Sequence, residues 1–307
     1  MFVFAQKVTV QIEGSAVPYY IPIYMGIELG YFAAEGLEVD YLFGSASDVI
    51  RNAAVGNVEF GFPNGEPVIT ARSQGIPINV IHTTYQHGLG STIFLKESGI
   101  ETPLDLKGKR VAITAYGSPN YVQLQILLKK NGLSLNDIKL EIVGTEAIVP
   151  ALVNKRVDAI CFSMLRTFEL RYQGIEVNEF KSDEFLPSFG NVVVTGDKLL
   201  NENRDLAVKF TRALSRVMAY LSDPENMKEA TVVAIQKYAP TYIGREEYMA
   251  DILTEIYAGY LWQSQDTAAF GFGFGDVERW QQTIDIMREY EIITTDVKAA
   301  DFVVPRL

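Results

Sequence analysis

The sequence predicts an α/β fold in two similar lobes. A repeated unit, a run of alternating strand and helix patterns, and a long helical tail predict it. The repeat is clearest. Residues 37–62 read LEVDYLFGSASDVIRNAAVGNVEFGF, and residues 138–162 read IKLEIVGTEAIVPALVNKRVDAICF. Each runs strand, glycine turn, short helix, polar turn, and a second strand opened by Val58-Glu59 or Val157-Asp158. Gly44 and Gly144 occupy the same point in the two copies. Two such βαβ units imply two α/β lobes with a cleft that could hold a ligand.

The first strand covers Lys7 to Glu13, where VTVQIE alternates in polarity. Ile23, Ile27, Leu29 and Phe32 have roughly helical spacing, so a helix is expected over Pro22 to Ala34, stopped by Gly36. Leu37 to Leu42 is the second strand. A helix follows over Ser47 to Val55, with Ser45 or Ser47 as cap and Gly56 beyond its end. A short strand at Phe60 to Pro63, a helix at Pro67 to Gln74 and a strand at Ile78 to Thr84 complete a mainly parallel first sheet.

The chain is then expected to cross over at Gly90 to Ser98 and begin again. Strands are predicted at Arg110 to Thr114, Lys139 to Val143, Asp158 to Phe162 and Val177 to Phe180. Helices are predicted at Ser118 to Asn131, Glu146 to Asn154 and Thr167 to Tyr172, and GNVVVT at Gly190 to Thr195 returns as a strand. From there the pattern is helical. Leu206, Phe210, Leu214, Val217 and Leu221 form one apolar stripe, and further helices are expected at Met227 to Tyr238, Arg245 to Ala258 and Asp276 to Glu289. The expected organisation is a discontinuous first lobe, 6–92 with 191–307, and a second lobe, 93–190, joined through a hinge, with the helical C-terminal region packed on lobe one.

Composition narrows the function. At 307 residues and 48% hydrophobic, the chain has material for real cores, and its net charge of −11 argues against a nucleic-acid partner. The apolar runs are broken too early for a membrane-spanning helix. A single cysteine, Cys161, forbids an internal disulfide and a cysteine metal site. Met1-Phe2-Val3-Phe4-Ala5-Gln6 reads as the remnant of a secretory signal peptide, with the start of the first strand as the alternative for Phe2 to Ala5.

In open α/β sheets, ligands lie beyond the carboxyl ends of the strands. The loops there hold the candidate binding residues: Tyr19, Tyr20, Ser45, Asn64, Glu66 and Tyr85 in the first lobe, Tyr116, Ser118, Asn120, Ser163 and Arg166 in the second, and Asn191 on the returning chain. Helix N-termini suit acceptor-rich ligand groups, tyrosine faces suit flat rings, and the Glu66 carboxylate suits a ring N–H. Ser45 and Ser118 also read as plain helix caps. His82, on a strand, reads as packed rather than catalytic. No phosphate-loop, zincin or nucleophile-elbow motif is present. GFGFGD at Gly271 to Asp276 reads as a mobile or ligand-covering loop. No catalytic residue, metal or cofactor is expected.

MGIELGYFAAEGLEVDYL at Met25 to Leu42, VGNVEFGF at Val55 to Phe62 and ARSQGIPINVI at Ala71 to Ile81 carry a resemblance. So do TPLDLKGKRVAITAYGSPNY at Thr102 to Tyr121, LVNKRVDAICF at Leu152 to Phe162 and DVERWQQTIDIMREYEII at Asp276 to Ile293. Across nearly its whole length the chain resembles solute-binding proteins of ABC importers, in the superfamily that handles alkanesulfonates, taurine, nitrate, riboflavin and thiamine pyrimidine precursors. The resemblance implies a type II periplasmic-binding-protein fold, a monomer outside the cytoplasm, a small-molecule ligand held between closing lobes, and a membrane permease as partner. The tyrosines and Glu66 favour an aromatic heterocycle, riboflavin or a thiamine pyrimidine precursor. A sulfonate, nitrate or aromatic carboxylate, the last paired with Arg166, is the alternative. Thiamine-pyrimidine synthases share the fold but carry a cysteine cluster that this chain lacks.

Overall fold

The computed structural model describes residues 5–307; the first four residues of the expected signal remnant lie outside them. Among the described residues the strands are β1 Gln6–Glu13, β2 Leu37–Gly44, β3 Phe60–Phe62, β4 Ile78–His82, β5 Gly90–Leu95, β6 Arg110–Ile113, β7 Lys139–Ile142, β8 Ala159–Ser163, β9 Val177–Lys181 and β10 Val193–Gly196. The α-helices are α1 Ile21–Glu28, α2 Tyr31–Ala34, α3 Ala46–Val55, α4 Gly65–Ser73, α5 Pro119–Lys130, α6 Ile148–Val153, α7 Leu165–Tyr172, α8 Asp197–Glu202, α9 Arg204–Leu221, α10 Pro224–Tyr238, α11 Glu246–Ile252, α12 Gln265–Phe270 and α13 Val277–Glu289. A π-helix, Leu253–Leu261, continues directly from α11.

The chain divides into two compact units. Unit one holds the chain up to His87, Phe189–Trp280 and Lys298–Leu307; unit two holds Gly88–Ser188 and Gln281–Val297. Sequence pattern assigned all of 191–307 to the first lobe. The amphipathic pattern of α13 does not reveal that its residues from Gln281 onward pack with unit two. There Thr283 Oγ1 donates to the Pro187 carbonyl at 2.9 Å, and the Lys129 ammonium donates to the Tyr290 carbonyl.

The two sheets share one topology. Unit one has the order β2-β1-β3-β10-β4 and unit two the order β7-β6-β8-β5-β9. In each, the βαβ repeat supplies the parallel part, and the fourth position is filled by the strand with which the chain enters that unit. That strand, β10 or β5, runs antiparallel to both neighbours. The segment expected as a crossover, Gly90 to Ser98, is therefore a buried strand through Leu95. Ile93 and Phe94 point to opposite apolar layers, Ile93 with α6 residues and Phe94 with α5 residues. The repeat also duplicates one polar contact. The Thr9 N–H donates to Glu59 Oε2 at 2.7 Å, and the Arg110 N–H donates to Asp158 Oδ2 at 2.8 Å. The acid just before β3 or β8 thus accepts a backbone donor of β1 or β6.

Helix breaks follow local chemistry. The expected helix from Pro22 to Ala34 is two, because Gly30 takes φ +73° between α1 and α2. In unit one the predicted apolar stripe of α9 is fully buried, and Phe210 stacks on Phe60 of β3 at 4.3 Å and on Phe32 of α2 at 4.9 Å. Each such buried ring contributes about 1.5–3 kcal/mol. The glycine-rich segment, expected as a mobile or ligand-covering loop, is hydrogen-bonded within unit one. The Thr83 N–H donates to Gly273 O at 2.8 Å, Gln86 Nε2 to Phe274 O at 3.0 Å, and the Gly275 N–H to Pro305 O at 2.9 Å. Gly273 has φ +82°, and a Cβ there would lie 2.0 Å from the His82 ring.

His82 is packed, as its strand position predicts. Burial holds its pKa down to about 3, against an ordinary value of 6.5. A histidine kept neutral contributes stability that is whole above pH 6.5 and is lost as pH falls towards 3. Urea midpoints should therefore fall on acidification through this window, at up to about 1.4 kcal/mol per pH unit from this group. His82→Gln should flatten that part of the slope; an unchanged slope would contradict the assignment.

Candidate functional site

In unit one the candidate residues gather where β1, β3 and β4 end. β1 closes on Glu13, and Gly14, at φ +102°, turns the chain with its N–H on Gly44 O at 2.9 Å. A Cβ at Gly14 would lie 3.0 Å from the Tyr20 hydroxyl, which donates to the Glu13 carbonyl. The Glu13 carboxylate accepts two bonds through Oε2, from Asn64 N at 2.8 Å and Asn64 Nδ2 at 3.1 Å. Burial pushes this carboxyl above the usual range, against the pull of the Asn64 donors.

The chain entering β10 knits the rest. Asn64 and Asn191 form an antiparallel bridge, Asn191 Nδ2 donates to Phe62 O at 3.0 Å, and the Val192 N–H donates to Pro63 O at 2.8 Å. On its other side the Tyr85 N–H donates to Asn191 O at 2.9 Å, and the Tyr85 hydroxyl donates to Tyr19 O at 2.7 Å. One network therefore joins Tyr19, Tyr20, Asn64, Tyr85 and Asn191. Glu13, which sequence pattern treated as the last residue of a strand, lies within it.

The aromatic part differs from expectation. Tyr19 and Tyr85 are 7% and 1% exposed, so their rings belong to the core rather than to a ligand face. Tyr257 holds them: it stacks on Tyr19 at 5.4 Å and 10° and meets Tyr85 edge-on at 5.4 Å. Tyr257 lies in the π-helix, and local pattern could not pair it with Tyr19, far away in the chain. Burial raises the phenols of Tyr85 and Tyr257 well above 10, so both stay neutral. Tyr20 remains half-buried, with Phe43 and Phe62 as ring neighbours at 6.1 and 6.2 Å. Glu66 is not a loop residue. Asn64 takes the N-cap position of α4, and Glu66 lies in its first turn at 1% exposure. Ser45 stands apart as the exposed N-cap of α3, accepting from Asp48 N at 3.2 Å and donating to Asp48 Oδ2 at 2.6 Å.

Unit two presents its own set. Ser118 caps α5, accepting from Tyr121 N at 3.3 Å and donating to Ala115 O at 2.8 Å. Tyr116 is 61% exposed and meets Tyr121 edge-on at 5.2 Å. Asn120 is buried and lines a small void with Gln123, Thr92 and Cys161. Burial pushes the Cys161 thiol up to about 12, which removes thiolate chemistry at neutral pH. Ser163 ends β8 and accepts from Leu165 N at 3.4 Å. Arg166 pairs with Glu169 at 2.5 Å and lies over the Phe162 ring at 5.2 Å, so its charge is already met within the unit. Among the described residues no group of three or more histidines, cysteines or acids could hold a metal ion, and no helix is long and apolar enough to cross a membrane.

A family model described as NMT1/THI5 like matches residues 17–227. The chain belongs to this family. Among NMT1/THI5-like relatives, it is 28% identical over 283 residues to the riboflavin-binding protein RibY of Chloroflexus aurantiacus, covering 91% of this chain and 79% of RibY. It is 26% identical over 289 residues to a formylaminopyrimidine-binding protein of Halalkalibacterium halodurans, covering 91% and 84%. It is 28% identical over 233 residues to the 4-amino-5-hydroxymethyl-2-methylpyrimidine phosphate synthase of Schizosaccharomyces pombe, covering 71% and 66%. Among solved structures, the periplasmic aliphatic sulphonate binding protein SsuA of Escherichia coli matches with TM-score 0.70 at 15% identity, over 98% of this chain and 93% of SsuA. The Candida albicans CA3427 product, titled as having the generic periplasmic binding protein fold, matches with TM-score 0.72 at 14% identity, over 98% and 96%. This NMT1/THI5-like chain thus has the type II periplasmic-binding-protein fold.

The stacked tyrosines make a stability prediction. Tyr257→Ala should lower unfolding free energy in urea by about 3–5 kcal/mol, the usual cost of deleting a buried ring. A loss below about 1 kcal/mol would show that the Tyr19–Tyr257–Tyr85 cluster is not core.

Proposed function

We propose that the chain is the extracytoplasmic solute-binding receptor of an ABC importer, and that its ligand is a small aromatic heterocycle, riboflavin or a thiamine pyrimidine precursor. Relatedness over 91% of the chain to two proteins named for binding riboflavin and formylaminopyrimidine carries this reading. The strand-end chemistry of unit one supports it. Glu13 offers a carboxyl acceptor, fixed by Asn64, with the Tyr20 hydroxyl on its own backbone carbonyl, which suits a ring N–H or exocyclic amine. Likeness to sulphonate-binding structures concerns the fold. The permease is the partner this reading implies.

Relatives of the synthase type favour an enzyme less well. In the resemblance noted above those enzymes rely on a cysteine cluster, and Cys161 is a single buried thiol whose raised pKa suits packing.

A thermal-shift panel of riboflavin, formylaminopyrimidine, alkanesulfonates and benzoate tests the ligand class. A heterocycle should raise the melting temperature in a dose-dependent way. Glu13→Gln should weaken that ligand at least about tenfold, a loss of about 1.4 kcal/mol. A response to the sulfonates alone would overturn the ligand assignment, and full affinity in Glu13→Gln would remove that residue from the site.

A further inference from the structure

Unit one contains a cavity of about 400 Å³ that shares no lining residue with the Glu13–Tyr85 network. Its walls are the end of β4, one face of α9, the glycine-rich loop at Gly271–Gly273, and Arg306. We propose that this cavity is a second small-molecule site, which takes an organic anion with an apolar body.

Charge is the first observation. The chain carries a net −11, yet Arg212, Arg216 and Arg306 all line this one cavity. Arg212 forks onto Glu35 at 3.0 and 2.7 Å, and Arg216 approaches the same carboxylate at 3.7 Å. Two guanidinium groups share one acid there, and Arg306 adds a third cation beside Leu307, which also lines the cavity. Arg216 is held over the Tyr31 ring at 5.7 Å, which lowers the freedom lost when it meets an anion. Guanidinium forks suit carboxylate and phosphate oxygens.

The second observation is the floor. Ile81, Val208 and Phe272 give the cavity an apolar interior, and its volume falls within the range of small-molecule pockets. The polar groups in the floor satisfy one another. Ser215 Oγ donates to Phe272 O at 3.1 Å, so it accepts from His82 Nε2 at 3.0 Å, and the Thr84 hydroxyl donates to His82 Nδ1 at 2.8 Å. This chain of bonds ties the glycine loop to α9 and fixes one wall. The floor offers apolar contact, and the arginines offer charge. A ligand matching both has an aromatic or aliphatic body and a carboxylate or phosphate head. Glycine at position 273 is required for the same reason, since any side chain would fill the place of the His82 ring.

Phenyl phosphate is a suitable probe, with benzyl alcohol as the uncharged control, titrated calorimetrically into the full chain. Phenyl phosphate should bind saturably with one site in this cavity, and benzyl alcohol should give no saturable heat. The double substitution Arg216→Gln with Arg306→Gln should weaken phenyl phosphate at least tenfold, whereas Arg51→Gln, an exposed arginine on α3, should leave it unchanged. A crystal structure with the probe should place the phosphate against Arg216 and Arg306. Unchanged affinity in the double variant, an equal loss in Arg51→Gln, or a phosphate bound elsewhere would overturn the proposal.

Discussion

Unit one depends on its antiparallel strand. β10 lies between β3 and β4 and hydrogen-bonds to both, so it is what joins β4 to the rest of the sheet. It reaches that place after the chain has passed through another compact unit, so the contact is long-range and its loop-closure cost is met by full burial of Val193 and Val194. The residues just before it set the candidate site. Gly190, Asn191 and Val192 exchange backbone bonds with residues 63–65 on one side and Tyr85 on the other. A Cβ at Gly190 would meet the Tyr85 Cβ at 2.9 Å, so this approach requires glycine. Position of Asn64, and through it the Glu13 carboxylate, follows from this one strand entry.

Unit two repeats the device with β5 between β8 and β9. The βαβ repeat that is plain in the sequence is the parallel portion of each sheet, and the strand that enters from the other segment completes it. Glu59 and Asp158, at matching places in the repeat, each accept a backbone N–H, from β1 and β6 respectively. Two copies of one sheet, each closed by a non-local strand, explain why the fold resembles the sulphonate-binding proteins at 15% identity.

Strand and helix positions in the repeats were legible because polarity alternates with period two in β1 and the apolar stripe of α9 follows the helical period. Pattern failed where partners are distant. Gly90 to Leu95 reads as a crossover because its role is set by β8 and β9, which come later. Tyr19 and Tyr85 read as ligand-facing because their neighbour Tyr257 lies in a π-helix, which leaves no periodic signature in so short a run. Glu13 does not stand out in the sequence because it ends an alternating strand, where a charged residue is ordinary; its contact with Asn64 exists only in three dimensions. Arg166 reads in sequence as the partner of a carboxylate ligand, and Glu169 one turn later meets it.

The central claim is that the chain binds a small aromatic heterocycle and returns it unchanged. Equilibrium dialysis of the purified protein against riboflavin and formylaminopyrimidine, followed by mass spectrometry of what is released on unfolding, tests both halves at once. The account predicts one heterocycle per chain, recovered with its original mass. No retention of either compound, or recovery of a chemically altered product, would contradict it.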